Sequence, residues 1–278
     1  MEDQEKRFIS DYYNKQVDDI RSFLDSIPGR YKMKDIHQLR VRIKRLKAVF
    51  RLLEFMHPVE FRAKDHYHLF KPVFKSAGKI RESQINLSLL KKFKGTEKLQ
   101  KSYSKYVAKL RPEWNISLDN SIKSFNYSRI DEIGMSINAI FSRNTELELV
   151  GVITDFIYSE INRIKNLIDE SNDLEYIHEV RIILKNIKPQ MFILWPRDDS
   201  TFEKSQYIRL NRTETLIGNW HDRLVLSNAL SMFFKAQEKK KEKLLTEYEA
   251  FQKKLEKINR RALENIATSL RETIDCFS

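Results

Sequence analysis

Apolar residues recur at three- and four-residue spacings along most of this chain, and no stretch carries a β-strand pattern. Cut at the breakers, that period predicts helices over about 4–26, stopped by Pro28-Gly29, and about 36–56, before Pro58. A third spans about 62–93 and ends near Gly95; a fourth begins near Thr96, is interrupted at Pro112, and helical pattern resumes with breaks to about 142. After Asn144-Thr145 come helices over about 146–170, about 174–194 ending at Pro196, about 201–231 and about 232–275. In the last, Leu244, Tyr248, Phe251, Leu255, Ile258, Ala262 and Ile266 form an apolar seam for packing on neighbouring helices.

Composition agrees with the period. Glycine and proline number six each in 278 residues, where average usage gives about 33 together. So few turn residues suit long helices with short connections and leave too few turns for a β-protein, so the expected class is all-α. Hydrophobic residues make up 41% and charged residues 32%, which excludes a disordered tail. No uncharged apolar run approaches the roughly 18 residues of a membrane-spanning helix. The start, MEDQEKRFIS, lacks a basic segment followed by an apolar one, so no secretory signal is expected. One cysteine, Cys276, excludes a disulfide framework and a multi-cysteine metal site, and a cytoplasmic location is the simplest reading. Nothing in the sequence implies a cofactor or a metal.

Charge is distributed unevenly. The chain carries 51 basic and 39 acidic residues, a net +12. Residues 30–111 alone hold 23 basic and 6 acidic, a net +17, so the rest is net −5. Solubility does not require that concentration, whereas binding a polyanion does.

The order of elements also restarts. HQLRVRIKRLK (37–47) and HEVRIILKNIK (178–188) align without gaps at an offset of 141, pairing His37 with His178, Arg40 with Arg181, Lys44 with Lys185 and Lys47 with Lys188. AGKIRESQINL (77–87) meets IGNWHDRLVLS (217–227) at an offset of 140, with Gly78 opposite Gly218 and Glu82 opposite Asp222. Two blocks at nearly one offset read as a tandem duplication, with residues 1–143 and 144–278 each forming a helical bundle.

The repeated motif H-x2-R-x3-K-x2-K has a geometric meaning. At about 100° of rotation per residue, His37, Arg40, Lys44, Lys47 and Arg51 share an arc of about 80°, while Leu39, Ile43, Leu46, Phe50 and Leu53 fill the opposite, core-facing arc. Val41 and Ala48 flank the stripe, as Ile182 and Pro189 do in the second copy. Cations beside one another on a partly enclosed face need a counter-charge. Between Asp35 and Glu54 the helix has no acidic residue, and the third helix adds Lys71, Lys75, Lys79 and Arg81. The expected arrangement is a groove lined with cations that takes its anion from elsewhere in the fold or from a ligand.

The duplicated motif, each copy followed by a Gly-x3-Asp/Glu helix, resembles the CHAD family (conserved histidine α-helical domain) over almost the whole chain. The resemblance implies two tandem four-helix bundles, related by a pseudo-twofold axis, that together form one domain around a basic central channel binding inorganic polyphosphate. It implies ligand contacts from His37, Arg40, Lys44, Lys47, His178, Arg181, Lys185 and Lys188, with Lys75, Arg81 and His221 from the second block. Arg51 and Lys79 join them from the two stripes. The implied protein is a non-catalytic, stand-alone module of the cytoplasm, associated with polyphosphate granules, since no Glu-x-Glu-x-Lys strand of a fused triphosphate-tunnel domain is present.

The two halves are not equally cationic. Arg51 is matched by Phe192, Lys75 by Thr215, Lys79 by Asn219 and Arg81 by His221, and Pro189 follows Lys188 directly. The second half is therefore the weaker part of any site, with a kink expected at Pro189.

The same residues admit other functional classes. His37 and His178 each lie one turn from an arginine, as a phosphorylated nucleophile does, but neither has a base or a Gly-rich phosphate loop beside it. His66 and His68, at i and i+2, fall on different helix faces, and they, His57 and Asp65 read as surface groups rather than metal ligands. Nucleic acid is the alternative partner, because the basic segment also attracts a phosphodiester backbone. Base stacking needs exposed aromatics, and Tyr67, Phe70 and Phe74 fall at core spacings. The lysine run at 239–241 lies among glutamates and reads as a solvated face. A protein partner docking on the C-terminal helix is a third class; it leaves the duplicated stripe unexplained.

Overall fold

Helix α1 (Phe8–Ser26) ends just before Pro28, and Gly29 turns the chain at φ +74°. This is a computed structural model, and it describes residues 8–170, 176–194, 202–236 and 242–277. Helix α2 (Met33–Met56) buries Ile36, Leu39, Ile43, Leu46, Phe50 and Leu53 along one side, the arc predicted for the core, and stops at His57 ahead of Pro58.

The third predicted helix is divided, into α3 (Ala63–Tyr67) and α4 (Lys71–Leu90). Pro72 has no N–H to give the His68 carbonyl, so the helix restarts with the proline in its first turn, where a missing donor costs nothing. Pro112, by contrast, does not interrupt α5 (Glu97–Lys123). It and Ala108 are both exposed, so water can take the carbonyl that the proline leaves free. Helix α6 (Tyr127–Phe141) is capped by Asn126, whose Oδ1 accepts the Arg129 N–H at 3.0 Å. Helix α7 (Glu146–Glu170) opens on a reciprocal cap: Glu148 Oε2 accepts the Thr145 N–H at 2.7 Å, and Thr145 Oγ1 accepts the Glu148 N–H at 3.3 Å.

Helix α8 (Tyr176–Leu194) continues through Pro189. Its predicted end at Pro196 lies outside the described residues, as does the lysine run at 239–241. Helix α9 (Lys204–Lys235) starts at a Glu203–Gln206 capping box and extends beyond the predicted end at 231. With helix α10 (Glu242–Asp275) the described residues hold ten helices and no strand. Every residue of its predicted seam is buried or half-buried.

The largest buried cluster draws residues from every long helix. A second joins Leu90, Leu99, Tyr103 and Val107 to Leu226, Leu230 and Phe233 of α9 and to Phe251 and Leu255 of α10. The helices that carry the four sequence blocks pack in a closed cycle, α2 on α4, α4 on α9, α9 on α8 and α8 back on α2. Gln190 of α8 reinforces the last of these contacts, its fully buried Nε2 donating to the Ala48 carbonyl at 2.7 Å.

Candidate functional site

The cycle brings the two motif helices face to face. Lys44 of α2 lies within electrostatic reach of Arg181 of α8, and Lys185 of α8 within reach of Lys44. Lys44 keeps an exposed surface, yet protein surrounds it closely enough to desolvate it. That burial, then the Arg40 and Arg181 guanidinium groups, push its ammonium pKa down to about 8. Burial, then Arg181 and Lys44, push Lys185 down to about 7. Lys44 thus lies between the two motif helices, with part of its side chain open to solvent and the ammonium desolvated by the protein around it.

On the α2 side His37, half-buried, is held below its ordinary value by burial and then by Arg81, Lys44 and Arg40. Arg40 is the most constrained of these groups. Its Nη1 donates to the Phe74 carbonyl, and its guanidinium lies 3.9 Å from the centre of the Phe74 ring. Gly78 makes this possible, since a Cβ there would stand 2.7 Å from Arg40 Nη1. Lys47, lowered by burial and then by Arg51, sits 5.2 Å from the centre of the Tyr67 ring. Tyr67 and Phe74, both half-buried, pack against the core as their spacing suggested and also present their rings to the cationic face; Phe70 is fully in the core.

Carboxylates not singled out as counter-charge in the sequence stand among the same cations. The basic helix α4 does supply counter-charge, through Glu82, which acts on Arg40. Burial raises the Glu82 pKa; Arg40 and His221 oppose the rise and Asp222 adds to it. Asp222 and Glu214 of α9 act on Arg181, Lys44 and Lys185. Glu214 Oε2 accepts from Lys188 Nζ at 3.0 Å. For Glu82 and Asp222 the sequence signal was present, in their matched place within the repeated Gly-x3-acid block. Glu214 had none, because Phe74 stands opposite it.

The remaining expected residues surround this centre. His178, exposed, stacks on His221 with ring centres 5.9 Å apart, and His221 Nδ1 lies 3.7 Å from Asp222 Oδ1. Arg51 pairs with Glu54 on its own helix at 2.7 Å, and both line a hollow of about 470 Å³ with Phe55, Phe156, Arg163 and His178. Arg81 donates to Gln84 at 3.4 Å. Lys75 and Lys79 are exposed and make no ion pair with any described residue. Among the described residues no three His, Cys, Asp or Glu side chains are grouped to hold a metal, and no helix is long and apolar enough to cross a membrane.

Comparison with known proteins places these residues in context. The sequence pattern of the CHAD domain matches residues 12–231. The chain belongs to the CHAD family. Its all-α fold is that of the family: the crystal structure of the CHAD domain from the plant Ricinus communis superposes with a TM-score of 0.75, at 14% identity, over 96% of this chain and 91% of that one. No match is found among the curated proteins. CHAD domains are a family of binding modules known in general for polyphosphate.

Proposed function

We propose that this CHAD protein binds inorganic polyphosphate, without turning it over, in the groove between α2, α4, α8 and α9. One observation carries the reading: Lys44 and Lys185, from motif helices packed on each other, are both desolvated by burial and both lie within reach of Arg181, with Arg40 acting on Lys44 and Lys44 on Lys185, so both ammonium groups lose much of their basicity. Such a cluster is unfavourable without an anion and is relieved by one of high charge density. Arg40, Arg181, Lys44 and Lys185 would donate charge-assisted hydrogen bonds to non-bridging phosphate oxygens. His37, Lys47, Arg81, Lys188, His178 and His221 extend the contact along the groove, and Lys75, Lys79 and Arg51 contribute at its rim. The segments 1–143 and 144–278 are read as the two duplicated bundles. The single cysteine, Cys276, accords with a cytoplasmic site of action, on free or granule-bound polyphosphate.

The test is a polyphosphate length ladder titrated beside duplex and single-stranded DNA at one salt concentration. Long polyphosphate should bind tighter than DNA of matched charge, with log K falling by nearly one unit per phosphate neutralised for each unit of log salt, by analogy with DNA. DNA binding as tightly at physiological salt would replace this reading with the nucleic-acid one.

A further inference from the structure

We propose that Glu214 is a built-in competitor for the anionic ligand, which closes the second half of the groove to short polyphosphates and yields it to long ones. The proposal rests on the polyphosphate reading above. An oxygen anion accepting from a lysine ammonium is what a non-bridging phosphate oxygen offers, and Glu214 Oε2 already does this to Lys188 at 3.0 Å. The two side chains are only 21% and 32% exposed, so water screens the pair less than it screens a surface pair. The same carboxylate acts on Arg181, Lys44 and Lys185, the cations that a phosphate chain would use.

The opposite half has no such group. Phe74 occupies the matching place, and it positions Arg40 through its ring and its carbonyl without neutralising it. Counter-charge is correspondingly lopsided. Arg40 of the first half faces Glu82, whereas Arg181 and Lys185 of the second face both Glu214 and Asp222 and Lys188 is paired with Glu214; Lys44, between the halves, feels Glu214 and Asp222 as well. A short phosphate chain satisfies its charges on the first half and leaves the Glu214–Lys188 pair intact. A long chain makes enough contacts to displace Glu214 and recruit Lys188.

The test uses the full chain, with tripolyphosphate and long-chain polyphosphate as calorimetric titrants at one salt concentration. Glu214→Gln should tighten long-chain binding about tenfold, and change tripolyphosphate binding by less than about twofold. Lys188→Gln should weaken long-chain binding in both backgrounds, about tenfold in Glu214→Gln and by a clearly smaller factor in the parent, where Glu214 already occupies the lysine. A purely structural role for Glu214 predicts no such non-additivity. Should Glu214→Gln lose helicity by circular dichroism, Glu214→Ala is read by the same criteria. If the parent binds long chains and removing Glu214 leaves them unchanged or weaker, or tightens both ligands equally, the competitor is overturned while the binding function stands. If the parent binds neither titrant, both fall.

Discussion

Arg40 shows how much one residue depends on a neighbour that contributes no side chain. Its guanidinium lies where a Cβ on residue 78 would be, 2.7 Å from Nη1, and it is held there by the Phe74 ring and carbonyl. Gly218, aligned with Gly78 in the two similar sequence blocks, has nothing within 4 Å of its would-be Cβ. Gly78→Ala should therefore move the flexible end of Arg40 and weaken polyphosphate binding while the protein stays folded. Gly218→Ala should spare the fold and add about 0.5–1 kcal/mol, the usual gain of alanine over glycine inside a helix. Thermal denaturation and ligand titration of the two variants make the check; equal losses of affinity would show that Gly78 does not shape the site. The arginine and the glycine were both visible in the repeated blocks, but their contact was not. Nor could periodicity separate Phe74 from a core ring: a ring half-buried against a guanidinium has the same spacing as one buried against leucines.

At the level of helices, the breakers show how local context changes a residue's meaning. Pro72 begins α4 and divides a predicted helix, whereas Pro112 and Pro189 lie inside helices. What differs is position: Pro72 stands in the first turn of α4, where no N–H is missed, whereas Pro112 and Pro189 each free a carbonyl inside a continuous helix. The motif helices were better read, because an amphipathic arc is a local property. Two comparisons follow at this scale. Lys44→Glu with Lys47→Glu should abolish most polyphosphate binding, while Lys253→Glu with Lys257→Glu, the same charge change on exposed positions of α10, should cost little. Equal losses in the titrations would favour a diffuse surface field over a groove. Arg40→Ala should also weaken binding more than Arg181→Ala. Arg40 is held in position in the half with less counter-charge, and a charge-assisted contact is worth roughly 1.5–3 kcal/mol where desolvated. Arg181 already feels Asp222 and Glu214. A greater loss from Arg181→Ala would mean that the first half's charge serves another purpose.

For the whole molecule the consequence is a coupling of fold, protons and ligand. Lys44 and Lys185 are lowered from 10.5 to about 8 and about 7 in the folded protein. Between about pH 7 and their ordinary value the unfolded chain binds more protons than the folded one, so their contribution to stability rises with pH across that window. Below about 7 both lysines are charged in either state, and the cost of burying them is fully present. The melting temperature of the free protein should therefore climb from about pH 7 to about pH 10 more steeply than in a Lys44→Met, Lys185→Met variant. An anion in the groove raises both values, so binding at about pH 8 should take up protons and should strengthen as pH falls toward about 7. Calorimetry in buffers of different ionisation enthalpy measures the uptake; none at all would place the phosphates away from these lysines.

The all-α class, the boundaries at Pro28-Gly29 and Pro58, the seam of α10, the twice-used cationic motif and the crowding of positive charge into residues 30–111 were legible before any folding was considered. These follow from period, composition and conformational preference, which neighbours in the chain decide among themselves. Which charges meet depends on how the helices pack. Lys44 faces Arg181 and Lys185 across the cycle of helices, and Glu82, Asp222 and Glu214 enter from α4 and α9. Electrostatic energy depends on distance through space and on how much water remains between the groups, and neither quantity is written in the separation of residues along a chain.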